Sequence, residues 1–286
     1  MLYPKFRNAL ATIIFCALIL NTAQSSTRSD AMASSPQPYP FDPAEQLVYE
    51  GQFSKLLLRG VKVVELKFTA NRAASNAAPD SQSQTTNFLF TGEATAKGFF
   101  SKLFGLHFHY RSESTVEQNS FNLLRTSTLD EQGKRRRTSE TIFDRTENRV
   151  VWTQRNPDAS PQEPSRVVES PLVDKTYDLI SALYFLRTQT LAPNLQFELL
   201  ISDSGRAYRV PVRVVGSKKI KSVLGNVVAT QIEIGVFGKD RPVEGDGQMS
   251  VWITNDKRRI PVLARITSDL GTLEITLKKA TGGTTS

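Results

Sequence analysis

Cysteine is almost missing from this 286-residue chain: the only one, Cys16, lies in an apolar run near the start. The remainder can form no disulfide and do no thiol chemistry, so its fold has to rest on buried apolar area. Histidine is as scarce, with His107 and His109 the only two, which leaves little material for a histidine-based metal or triad site. No apolar run reaches the ~20 residues that a membrane-crossing helix needs. The longest, Ala9–Leu20, has twelve. No internal repeat of fixed period is present either, which argues against a solenoid or propeller.

The short apolar run has Lys5 and Arg7 before it and the small-residue stretch Asn21-Thr22-Ala23 after it. That layout predicts a secretory signal peptide over residues 1–23, with an uncleaved anchor as the alternative. Phe15 precedes Cys16 where a lipoprotein signal would place a small residue. Without Lys5 and Arg7 the chain keeps 34 basic residues against 28 acidic ones. A basic protein exported to the periplasm or cell envelope meets phospholipid headgroups, lipopolysaccharide or cell-wall polymers, and not nucleic acid. Residues 24–45, rich in Ser, Ala, Pro and Asp, show no periodicity and predict a disordered leader. One β-rich domain is expected over 46–280, with a tail at 281–286.

Within that domain apolar residues alternate with polar ones in segment after segment, the period of a strand with one buried face. Leu47, Tyr49, Gly51 and Phe53 form one set; Phe197, Leu199 and Ile201 another; Tyr208, Val210, Val212 and Val214 a third. The pattern continues through Val228–Val236, Met249–Ile253, Ile260–Thr267 and Leu273–Leu277, with short turns at Ser204-Gly205, Asp256-Lys257 and Leu270-Gly271. Strands at this spacing predict an antiparallel meander. One segment differs. From Asp174 to about residue 189, Tyr177, Ile180 and Tyr184 make one helical stripe and Leu179, Leu183 and Leu186 a second beside it. Asp174 is placed to cap this helix and Arg187 to meet its C-terminal dipole. The fold class expected is mainly β: a strongly curved antiparallel sheet or barrel-like meander gripping one buried helix at about 174–189.

The chain resembles the bacterial family known as domain of unknown function 3108. The resemblance lies in Leu47-Val-Tyr49, Gly60-Val-Lys-Val63, Gly92-Glu-Ala-Thr95 leading into Lys97-Gly-Phe-Phe-Ser-Lys-Leu103, and Asp178-Leu-Ile-Ser-Ala-Leu-Tyr-Phe-Leu-Arg187. It continues in Val251-Trp-Ile-Thr-Asn-Asp256, Arg258-Arg-Ile-Pro-Val262 and Gly271-Thr-Leu-Glu-Ile275. It implies an exported envelope protein with a curved or barrel-like sheet, and it implies no reaction.

The candidate chemistry is sparse. His107 and His109 share a strand face, and Glu113 or Glu117 would have to complete any metal set, although the spacing fits no zinc motif. Ser181 has no nucleophile elbow around it. Asp178 and Arg187 on a buried helix need partners, either an internal network with Arg265 or Glu233, or a ligand. Phe99, Phe100, Leu103 and Phe104 cluster between Lys97 and Lys102, as a plug for the open end of the sheet or as a lipid contact. Basic turns at Lys134, Arg135, Arg136 and Arg137 and at Lys257, Arg258 and Arg259 are solvated sheet ends or face an anionic membrane. These features together predict a non-enzymatic binder of a lipid or other apolar ligand, with no cofactor and no metal. The ligand-binding residues expected are Phe99, Phe100, Leu103, Phe104, Tyr177, Asp178, Tyr184 and Arg187. The alternative is a scaffold whose fully packed barrel docks a protein partner.

Overall fold

In a computed structural model of the chain, which describes residues 39–73, 87–98, 107–160 and 163–282, fifteen strands form one sheet. The first eight are β1 (Glu45–Lys55), β2 (Leu58–Ala73), β3 (Asn87–Ala96), β4 (Phe108–Glu117), β5 (Leu123–Gln132), β6 (Arg135–Asp144), β7 (Arg149–Arg155) and β8 (Arg166–Pro171). The two-residue β9 (Thr176–Tyr177) leads into the helix α1 (Leu179–Thr188). Then come β10 (Gln196–Asp203), β11 (Arg206–Ser222), β12 (Gly225–Ile234), β13 (Gly247–Thr254), β14 (Pro261–Ser268) and β15 (Gly271–Thr281).

Alternation makes these segments strands. In β1 every second residue from Glu45 to Phe53 is buried, the period at which one face meets a core and the other meets water. Consecutive strands pair antiparallel from β1 to β8 and from β10 to β15, β8 and β9 do not pair, and β1 pairs with β15 as well as with β2. The chain therefore starts mid-sheet, works outward to β8, crosses to the far margin at β9 and returns to its own beginning. The parallel pairing of β9 with β10, through Leu200–Thr176 and Ile201–Tyr177, is the exception. A sheet of this many twisted strands curls. Its two margins come into contact: a Cβ on Gly205, in the β10–β11 turn, would lie 2.9 Å from Cβ of Val168 on β8 and 3.1 Å from Cβ of Trp152 on β7. The result is a barrel left unzipped along the β8–β9 seam.

The helix is shorter than its periodicity suggests. Asp174 does not cap it; that residue sits exposed at φ +49°. The backbone of Thr176–Tyr177 is taken by pairing to β10, so α1 can start only afterwards. Asp178 is the cap, in a capping box in which its carboxylate accepts from the Ser181 amide and the Ser181 hydroxyl accepts from the Asp178 amide. Ten residues are too few to hold a helix in water; packing inside the sheet holds it. Gly92 of β3 makes room for that packing, since a Cβ there would fall 2.7 Å from Cδ1 of Ile180.

The expected disordered leader requires a correction at its end. Tyr39 and Phe41 pack into the aromatic core, and Glu45 opens β1 and is fully buried. Aromatic burial organises this stretch despite its lack of periodicity. The proposed signal segment 1–23, the leader up to residue 38, and Phe99, Phe100, Leu103 and Phe104 lie outside the described residues.

Candidate functional site

The two helical stripes face different surroundings. On one side the interior is dense. Tyr184 stacks on Phe90 with centroids 4.0 Å apart and planes at 8°, and meets Phe41 edge-on at 5.1 Å. Phe185 stacks on Tyr177 at 4.5 Å and touches Phe121 at 5.8 Å. On the other side Leu179, Ala182, Leu183 and Leu186 form one wall of a cavity of about 190 Å³. The opposite wall comes from β1, β2, β10 and β12–β15, including Leu66, Phe68, Leu199, Val251, Leu263 and Ile275. Leu179 is 54% exposed, which places solvent access at the start of the helix. The wall is aliphatic and aromatic throughout. Among the described lining residues the one hydroxyl, on Tyr49, donates to the Pro261 carbonyl at 2.8 Å.

Voids larger than a water molecule are few in protein interiors. At ~24 cal/mol per Å³ for an enclosed void, a dry vacant cavity of this size would forgo at most roughly 4–5 kcal/mol, a large share of the 5–15 kcal/mol typical of a whole domain. A fold that bears this cost beside a tightly packed aromatic cluster could close the space with a few larger side chains. An apolar occupant would recover the lost contacts.

Of the residues expected to bind a ligand, Tyr177, Asp178, Tyr184 and Arg187 are all brought to α1, yet none lines the cavity. Tyr177 and Tyr184 belong to the packed side. Asp178 is held by Ser181 and by the Ser114 hydroxyl of β4 at 2.5 Å; burial pushes its carboxyl up, against the pull of those hydrogen bonds. Arg187 is bidentate on Glu45 at 2.6 and 2.8 Å, with the carbonyls of Pro40, Arg258 and Arg259 around it. Its partner is neither Arg265 nor Glu233: Arg265 pairs with Glu274 and Glu233 with Arg213. The cavity wall is instead the stripe Leu179, Leu183, Leu186, visible in the sequence as a helical face but indistinguishable there from ordinary core.

His109 bridges Glu131 and Glu93, each at 2.9 Å, while Glu113 turns to Arg111 and Glu117 to Ser120 and Asn122. The hydrogen bond to Glu131, aided by Glu93, raises the imidazole pKa despite partial burial. The basic turns sit at opposite ends of the sheet. Lys134–Arg137 follows β5 at the end where β4 begins, and Lys257–Arg259 joins β13 to β14 at the end where β1 begins. One flat membrane cannot face both. Arg258 donates to the Gly282 carbonyl and Arg259 to that of Gln189, so the second turn is used internally.

Asp203, at the seam end of β10, supplies a test of this electrostatics. Burial pushes its carboxyl up to about 6, against hydrogen bonds from Ser204. The ordinary value is near 4, so between about 4 and 6 the folded state binds more protons than the unfolded one, and stability falls as pH rises through that window. His109, raised in the folded state, stabilises below its ordinary value and loses that contribution as pH climbs through the raised one. In thermal melts from pH 4 to 9, Asp203→Asn is expected to flatten the lower part of the decline relative to wild type, and His109→Gln the upper part. Parallel profiles for wild type and both variants would contradict it.

The family model described as protein of unknown function (DUF3108) matches residues 60–278. No curated protein matches the sequence. Among solved structures, the chain is similar to a beta-barrel-like protein of domain of unknown function DUF1849 from Brucella abortus, at 8% identity over 83% of this chain and 97% of that one, with a TM-score of 0.47. It is also similar to a Bacteroides fragilis protein described as a candidate exported protein with YmcC-like fold, at 9% identity over 85% and 98%, TM-score 0.31. A third is a candidate lipoprotein from Parabacteroides distasonis, at 9% identity over 85% and 97%, TM-score 0.31.

Proposed function

This chain belongs to the DUF3108 family of proteins of unknown function, and we propose that it is an exported envelope protein that binds, without catalysis, the apolar chain of a lipid or a similarly slender apolar ligand. The observation that carries this reading is the aliphatic cavity between α1 and half of the sheet. Its size selects the occupant. About 190 Å³ exceeds the ~150 Å³ of an apolar cavity that stays dry and takes up benzene, and falls short of the ~300 Å³ at which drug-sized pockets begin. One chain enters and a headgroup stays outside. Each methylene buried contributes about 0.8 kcal/mol, so a few carbons suffice for measurable affinity. Acid–base chemistry needs a titratable group within reach of the reacting atom, and among the described residues the wall presents only Tyr49, whose hydroxyl is engaged. Export rests on the Lys5–Ala23 layout.

The test is solvent extraction of the protein purified from an envelope fraction, followed by mass spectrometry, and titration with a fluorescent fatty acid. Co-purified lipid and saturable probe uptake are expected, with uptake at least tenfold weaker in Ala182→Phe, which fills the cavity. A protein that carries no lipid and takes up no probe would sink the reading in favour of a packed scaffold.

A further inference from the structure

The β1–β2 hairpin ends in two leucines that are almost wholly exposed among the described residues. Leu57 is 98% exposed and Leu56 88%, the most exposed large apolar side chains among the described residues, and Leu58 follows at 36%. A two-residue hairpin connection favours positive φ and therefore Gly, Asn or Asp. Here Leu56 takes that conformation, at φ +50°, so the position forgoes both solubility and backbone ease. Lys55 and Arg59 flank the leucines. Lys55 is tied to the Asp269 carbonyl at 3.0 Å, and Arg59 is exposed; the nearest acid in the adjoining β14–β15 turn is Asp269 itself.

The position of this tip in the barrel is as informative as its composition. Phe53, two residues before Lys55, pairs with Leu273, which pairs with Ile266, and Leu273 and Ile266 line the cavity. At ~3.3 Å per residue the leucines project roughly 10 Å beyond that point. The basic turn Lys134–Arg137 is exposed and stands on the same rim, four strands away at ~4.8 Å each; within it Arg135 pairs with Asp130 and Arg136 with Glu131 and Asp158. Among the described residues, this rim thus carries exposed aliphatic side chains at a hairpin tip, with cations beside them.

We infer that this rim docks on an anionic lipid bilayer, with Leu56 and Leu57 inserted among the acyl chains and Lys55, Arg59 and Lys134–Arg137 at the headgroups. The chemistry favours a bilayer over a protein. A stable protein interface buries ~800 Å² on each partner and centres on Trp, Tyr or Arg set in pockets. A convex tip of two leucines offers neither, whereas insertion needs only apolar side chains with neighbouring cations. This docking surface does not depend on what the cavity holds.

The tip can be read by itself in the full chain. The two native tryptophans, Trp152 and Trp252, are buried, so Leu57→Trp supplies an emission that reports the tip even where other segments also bind membrane. With vesicles of phosphatidylglycerol and phosphatidylethanolamine that emission is expected to shift to the blue and to be quenched by brominated acyl chains, while the wild-type emission stays constant. Adding Lys55→Glu and Arg59→Glu should weaken the response at least tenfold, as should raising the salt. Leu56→Gly should preserve or raise the melting temperature while weakening the response, which separates insertion from folding. Ala182→Phe should leave the response intact. A tip that keeps its aqueous emission on anionic vesicles, or responds equally after the charge reversals, overturns the inference.

Discussion

Replacing Arg187 by alanine is expected to cost about 3–5 kcal/mol of stability, the usual penalty for leaving a buried charge without its partner. Arg187 and Glu45 are 1% and 0% exposed at their side chains. The guanidinium lies against the rings of both Phe41 and Tyr184, at 5.3 and 5.2 Å from their centroids, and its nitrogens reach the two Glu45 oxygens and three backbone carbonyls. One side chain thereby joins the segment before β1, the end of α1 and the β13–β14 turn. Lysine will not substitute, because an ammonium cannot span a planar fork of this kind. Replacing both charges, as Arg187→Met with Glu45→Leu, is expected to recover much of the loss, since well-packed apolar pairs often equal a buried ion pair. Urea denaturation of both single variants and the double variant measures the coupling. An Arg187→Ala protein within 1 kcal/mol of wild type would remove this residue from the centre of the fold.

The second large effect contrasts the two kinds of interior on either side of the helix. Phe90→Ala is expected to cost about 3–5 kcal/mol, because Phe90 is fully buried and packs against Tyr184, Phe41 and Phe88. Ala182→Leu, one face round the helix, enlarges a residue that is also buried. In a dense core such overpacking costs typically 1–3 kcal/mol. Here it should change stability by less than about 1 kcal/mol or raise it, because the added carbons enter the cavity and regain dispersion contacts. Denaturant midpoints decide the matter. If Ala182→Leu proves as damaging as an enlargement on the aromatic side, the cavity is not a feature of the folded protein in solution. Together these two substitutions ask whether the helix divides the barrel into a packed half and a hollow half.

Strand identity was legible residue by residue. Alternation such as Tyr208, Val210, Val212, Val214 is a local property, and the side chains at i and i+2 share a face whatever the rest of the chain does. The helix was legible from its two stripes for the same reason. Its start was not, because the competition between a helical turn at Asp174 and pairing of Thr176–Tyr177 to β10 is settled by Leu200 and Ile201, which arrive only after the helix is complete. Asp178 and Arg187 stood out as charges in an apolar helix that would require partners. The partner Glu45, 142 positions away, was hidden in a stretch that read as leader, since Tyr39, Phe41 and Glu45 follow no period.

What the sequence determined by itself is the inventory: a cysteine-poor, mainly β chain with one helix apolar on both sides. Only the tertiary structure decided which stripe meets aromatic rings and which meets empty space, where the sheet margins come into contact, and which hairpin tip carries its leucines into solvent. The physical reason is one of range. Periodicity reports on neighbours along the chain, whereas cavity volume and the pairing of buried charges depend on how far a sheet of fifteen strands curls and on what that curl brings together.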